Sequence, residues 1–152
     1  MQLLTYSDLS VLRLKDFVGP EQSLSVEESG FQVVVGLGGF ESLGESWFGW
    51  RQGEAFQTAE VNLDLSPQSL LPSSIADQII AKLGVPIRRA MTAESLFAAF
   101  GKAETDSGQG PRRFLRFVCG EVEQYLIGCY LESADGLVGF FLARKDYCDE
   151  SG

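Results

Sequence analysis

The chain contains no histidine among its 152 residues, which leaves cysteine, arginine, tyrosine and the carboxylates as the groups able to do chemistry. Histidine alone titrates near neutrality without help, so Ser-His-Asp and Cys-His catalysis, His-ligated zinc and HExxH chemistry are excluded together. Paired carboxylates can hydrolyse glycosides without histidine, but among 21 acidic residues some pair always exists, so the pairing carries no signal. No Ser-x-x-Lys motif serves serine–lysine catalysis, and no DxDxDG-like loop offers oxygen ligands to a metal. Gly36-Leu37-Gly38-Gly39-Phe40-Glu41 follows a strand-like run. The third glycine of a dinucleotide loop falls on Glu41 and no βαβ alternation follows, so this reads as a glycine-rich strand end. Asp106-Ser107-Gly108 spells the aspartic-protease triplet between Thr105 and Gln109. It lacks the apolar flanks that bury a proton-sharing pair, and reads as part of a flexible polar loop over 104–111. Arg112, Arg113 and Arg116 interleave with Phe114 and Phe117 as in an RNA-stacking strand, but the glycines of that motif are absent. The expected reading is a strand whose arginines pair with nearby carboxylates such as Glu121 or Glu123. No catalytic residue, cofactor or metal site is predicted.

Three cysteines are too few and too odd for a disulfide framework. Cys119 and Cys129 fall in apolar runs and read as small core residues. Cys148 lies beside Asp146, Asp149 and Glu150, whose charge opposes thiolate formation. All three are expected as reduced thiols.

The densest aromatic cluster is Trp47, Phe48 and Trp50, beside Glu41, Glu45 and Glu54. It is either packed core or, with rings exposed, an aromatic patch with an acidic rim, a plausible form of protein-binding hot spot. Charge bears on the partner. Twelve basic against 21 acidic residues give a net charge of −9, and the sequence pI is about 4.4. That balance argues against nucleic acid or an anionic membrane surface as partner. Residues 1–76 hold 3 basic and 10 acidic residues, net −7; residues 77–152 hold 9 and 11, net −2. The acidic field is either a solvated surface or a face that steers a basic protein.

The elements that must position these residues follow from periodicity and turn signals. Ser7 to Phe17 suits a short helix capped by Ser7, or an irregular β segment, ended by Gly19-Pro20. Residues 31–65 read as a three-stranded meander, its last strand alternating Val61, Leu63 and Leu65 with Glu60, Asn62 and Asp64, which predicts one wet face. Prolines and serines over 66–74 form a linker. Ser74 is a candidate cap for a helix carrying Ile75, Ile79, Ile80 and Leu83, stopped by Gly84 and Pro86. Thr92 caps a second helix with Leu96, Phe97 and Phe100 on its apolar stripe, stopped by Gly101. Three apolar runs, 113–119, 124–131 and 137–144, read as a second meander. A four-residue first loop places Cys119 opposite Gln124 and Phe114 opposite Cys129, with the thiols on opposite faces; a one-residue slip reverses this. The expected fold is α+β, an antiparallel sheet built from two three-stranded meanders with short helices on one face. The expected unit is one compact domain over 1–152, its division into similar halves, 1–70 and 74–148, left open.

Residues 87–145 resemble a repeat unit of the β-lactamase-inhibitor-protein-like superfamily, which includes the small outer-membrane lipoprotein A group. The resemblance is carried by Met91-Thr92-Ala93-Glu94 opening a helix and Phe100-Gly101-Lys102 closing it, then by Arg113-Phe114-Leu115-Arg116-Phe117, Tyr125-Leu126-Ile127 and Gly136-Leu137-Val138-Gly139-Phe140-Phe141. It covers about two-fifths of the chain. It implies a helical pair on an antiparallel sheet, and a protein that binds proteins rather than catalyses. Ala90 stands where such units usually carry glycine before Met-Thr, and the lipoprotein signal with its lipidated cysteine is absent.

These readings converge on a non-enzymatic, cytoplasmic, bacterial-type binding protein. Its concrete form is an inhibitor or immunity-type protein neutralising a basic partner through Glu41, Glu45, Trp47, Trp50 and Glu54. The start of the chain lacks the basic and long apolar regions of a signal peptide, and no stretch approaches the roughly 18 apolar residues of a membrane span. The alternative is a small-ligand-binding module with a pocket between sheet and helices lined by Phe97, Phe100 and Tyr125.

Overall fold

A computed structural model describes residues 2–18, 34–36, 40–50 and 57–151. Helices α1 (Tyr6–Ser10) and α2 (Leu14–Phe17) precede strands β1 (Val34–Gly36), β2 (Phe40–Leu43), β3 (Ser46–Trp50) and β4 (Thr58–Asp64). Helices α3 (Ser73–Leu83) and α4 (Ala93–Phe100) follow, then β5 (Thr105–Gln109), β6 (Arg112–Cys119), β7 (Tyr125–Glu132) and β8 (Gly136–Arg144), and α5 (Lys145–Ser151). The strands form one antiparallel sheet in the order β1-β2-β3-β4-β8-β7-β6-β5. The fold is therefore α+β on an antiparallel sheet, with β4 and β8 paired where the two runs meet.

Among the described residues each run holds four strands, where the sequence reading has three. The additional strand in the second run is β5, which contains the Asp106-Ser107-Gly108 triplet read as a polar loop. Its residues are drawn into the sheet by backbone pairing with β6, from Thr105 opposite Arg116 to Gln109 opposite Arg112. Pairing of this kind needs no apolar side chain, so hydrophobic periodicity could not reveal it.

The wet-face alternation of β4 appears as expected: Val61 and Leu63 are buried while Glu60, Asn62 and Asp64 are half-buried. Val61, Leu63, Leu115, Phe117, Ile127, Phe140 and Leu142 join helical Leu9, Leu14, Ile75, Ile79, Leu83 and Leu96 in one core. At the ends of α4 the capping signals work as read: Thr92 Oγ1 accepts from Ser95 N at 3.2 Å, and Gly101 ends the helix. Helix α3 starts one residue earlier than its expected cap, with Pro72 in the cap position, and Gly84 closes it at φ 75°.

The segment 7–17 forms two short helices in place of one, the first capped by the Thr5 hydroxyl and not by Ser7. Long-range contacts split it. The Thr58 hydroxyl donates to Leu12 O at 2.5 Å, and Leu14 N donates to Glu41 Oε1 at 2.7 Å. Both groups are thereby taken from a continuous helical ladder.

Helices α3 and α4 are joined through a strained link. Ala90 has φ +63°, the one non-glycine residue among those described with a positive value. Its N–H donates to Leu137 O at 3.3 Å, and Leu137 N donates to Met91 O at 2.9 Å, so the pairing with β8 holds this conformation. A left-handed residue with a Cβ costs about 1–2 kcal/mol, partly offset by the backbone entropy glycine loses on folding. Ala90→Gly is therefore expected to raise stability by about 0.5–1 kcal/mol in urea denaturation. An unchanged or lower midpoint would show that the strain is relieved elsewhere.

No helix among the described residues is long and apolar enough to cross a membrane.

Candidate functional site

Strand alternation divides the sheet into a side packed on α1 to α4 and an opposite side that those four helices leave open. On the open side, β6, β7 and β8 bring together Phe114, Tyr130 and Phe141. Phe114 lies directly opposite Tyr130, at 4.8 Å between ring centroids, and Phe141 lies 6.2 Å from Phe114 and 6.4 Å from Tyr130. Two strand glycines make room for these rings. Gly128 sits opposite Phe141 and Gly139 opposite Tyr130; a Cβ on Gly128 would overlap the Phe141 ring, and one on Gly139 would come within 3.2 Å of Tyr130 Cδ2. The result is an aromatic slab lying on the sheet, with Tyr130 45 % exposed.

Beside the slab is an open cleft of about 810 Å³ whose lining includes Glu45, Ser107, Arg112, Phe114, Tyr130 and Glu132. Arg112 approaches Glu132 at 3.9 Å, Arg116 binds Glu104 at 2.9 Å, and Arg113 grips Asp106 through two bonds of 3.0 and 2.7 Å. The Arg113 guanidinium holds the Asp106 carboxyl below its ordinary range and lies 5.5 Å from the centroid of the Phe97 ring. The arginines thus pair with carboxylates, but with Glu104, Asp106 and Glu132 and not with Glu121 or Glu123. Glu123 instead accepts from Tyr6 N at 3.2 Å.

Glu60 shares the open side with Asn62 and Asp64. It faces Gly49 on β3 and Ala143 on β8, neither of which offers a side-chain donor. Burial pushes its carboxyl up to about 7, and Tyr147 on α5 is raised by its own burial and, secondarily, by the charge of Glu60.

The sequence-derived partner residues separate. Glu41 is 1 % exposed on the helix side, where it accepts from Leu14 N; it is a folding contact and takes no part in a surface. Phe48 is fully buried, whereas Trp47, its neighbour, is half-buried on the open side opposite Asn62. Glu45 is exposed in the β2–β3 turn and lines the cleft. Trp50 ends β3; its side chain and Glu54 lie outside the described residues. Of the expected ligand-lining residues, Phe97 and Phe100 pack on Phe117 with ring centroids at 6.2 and 5.1 Å. Tyr125 is fully buried against Tyr6, its hydroxyl donating to Leu4 O at 2.8 Å. None of the three lines the cleft beside the slab.

Cys119 and Cys129 are buried thiols in no disulfide. The register differs by one residue from the expected one: Cys119 pairs with Tyr125 and Leu115 with Cys129. Both thiols therefore face the core on the same side. The loop over 120–124 is one residue longer than assumed, and Gly120 at φ +105° turns it. Burial raises both thiols, Cys129 to about 12, so neither is a nucleophile at neutral pH. No group of three or more metal-ligating side chains occurs among the described residues.

Sequence reasoning missed Tyr130, Phe141 and Glu60 as parts of one surface. The available signal was Gly128 and Gly139, glycines inside otherwise apolar strands, which mark close approach of another group. No family model, curated protein or solved structure matches this chain.

Proposed function

We propose that this chain is a non-enzymatic protein-binding module that docks a basic partner on the open side of its sheet, in the manner of an inhibitor or immunity-type protein. The observation that carries the reading is the slab of Phe114, Tyr130 and Phe141 on the side of the sheet opposite the core, topped by an exposed tyrosine. Aromatic anchors that present a large area with few rotatable bonds are the residues on which interface energy concentrates. The net charge of −9 favours a basic partner; at the cleft itself Arg112 offsets Glu132, and Glu45 adds a carboxylate. The reading places the protein in the cytoplasm.

Affinity capture from lysate, with wild type and Tyr130→Ala as paired baits washed at low and high salt, tests the reading. The expected result is a stoichiometric basic protein that is released at high salt and is lost from the variant bait, reflecting at least a tenfold weaker affinity (about 1.4 kcal/mol). Recovery of the same proteins by both baits would remove the open side from the interface.

A further inference from the structure

We propose that Glu60, with Trp47 beside it, is the receptor on the open side of the sheet for a lysine or arginine side chain of the partner, an inference that rests on the binding reading above. Alternation along β4 turns Glu60 to the open side, while Val61 and Leu63 enter the core. Its cross-strand neighbours are Gly49 and Ala143, so no cation stands directly opposite it. From α5, Tyr147 is the titratable group that reaches it electrostatically. Asn62, two residues along β4, is uncharged. Among the described residues no Lys or Arg pairs with Glu60, whereas Arg112, Arg113 and Arg116 each already have an acidic partner.

Trp47 provides the second half of the receptor. A Cβ on Gly49 would come within 2.8 Å of Trp47 Cζ3, so the indole lies against the strand position facing Glu60. A carboxylate beside an indole is the pairing that suits an ammonium or guanidinium group, by a charge-assisted bond on one side and cation–π attraction on the other. A desolvated carboxylate without a cation is costly in the free protein, and a cation delivered by a partner removes that cost. The group is otherwise unexplained: it caps no helix and bonds no described side chain.

The test uses a capped hepta-lysine peptide as probe and calorimetry at low salt on wild type, Glu60→Gln, Glu45→Gln and Tyr130→Ala. The carboxyl resonance of Glu60 is followed by NMR. At pH 8 we expect Glu60→Gln to bind at least tenfold more weakly than wild type, and Glu45→Gln to lose less than threefold. The ionised fraction of a group with a value of about 7 falls about thirtyfold between pH 8 and pH 5.5, while ordinary carboxylates stay charged. Wild-type affinity should drop by that order over this interval, Glu60→Gln should show no such drop, and bound peptide should move the Glu60 titration down by about two units or more. Peptide binding that Tyr130→Ala weakens and Glu60→Gln does not would overturn this inference alone. No binding to wild type at pH 8 would overturn both it and the basic-partner reading.

Discussion

Glu60→Gln should stabilise the protein at pH 8 and by only about a quarter as much at pH 5. Burial pushes the folded-state carboxyl up to about 7 from its ordinary 4.5. A raised carboxyl holds its proton in the native state over a range where the unfolded chain has lost it. Stability therefore falls as pH rises from about 4.5 and reaches its lower plateau once the folded group ionises above about 7. The penalty is absent below the unfolded value and complete above the folded one. The full shift corresponds to about 3 kcal/mol at roughly 1.4 kcal/mol per unit; because Glu60 keeps partial access to water, roughly 1–3 kcal/mol is the expected gain. Glutamine keeps the shape and removes the charge. Urea denaturation of both proteins at the two pH values measures the difference. An equal gap at pH 5 and pH 8 would assign the effect to packing and not to ionisation. In the proposed role Glu60 would cost stability in the free protein and recover it on binding a cation.

Gly128→Ala should lose stability by about 2–3 kcal/mol, because a methyl group placed there overlaps the Phe141 ring. The ring cannot simply retreat, since it also touches Phe114 and Tyr130 in the slab. Gly139→Ala is the matched comparison: its Cβ would stand 3.2 Å from Tyr130 Cδ2, a contact that a half-exposed ring can relieve by a small tilt. A cost under about 1 kcal/mol is expected there. Denaturant midpoints and near-ultraviolet circular dichroism report both the energy and the displacement of the rings. Equal losses for the two variants would show that the Phe141 contact does not set the cost. A Gly128→Ala, Phe141→Leu double variant should recover part of the loss, as expected for two residues in direct contact.

Several elements were legible locally. Gly84 and Gly101 end helices where they were read to end them, and Thr92 caps through its hydroxyl. The three apolar runs of the second half lie within one residue of β6, β7 and β8. The alternation of Glu60, Asn62 and Asp64 marked the wet side of β4. These depend on neighbours a few residues apart. By contrast, β5 is polar and exists through its pairing with β6, and the break between α1 and α2 is made by Thr58 and Glu41, residues far along the chain.

The candidate site shows the same division. A two-residue period says which side chains share a side of a strand. It says neither which side the core occupies nor which residue stands opposite on the next strand. Phe114 was read opposite Cys129 and stands opposite Tyr130, and that single residue brings two rings together and sends both thiols into the core. Glu41 and Glu45 are equally acidic in sequence, yet one is sealed beneath α2 and the other is exposed in a turn. What the sequence determined by itself was the chemistry at hand: no histidine, an excess of carboxylates, and elements with recognisable ends. Only the tertiary structure decided which residues meet, because the slab draws on residues 114, 130 and 141 and the buried carboxyl on residue 60. Register between strands is set by packing across the whole sheet, and no local pattern in the chain records it.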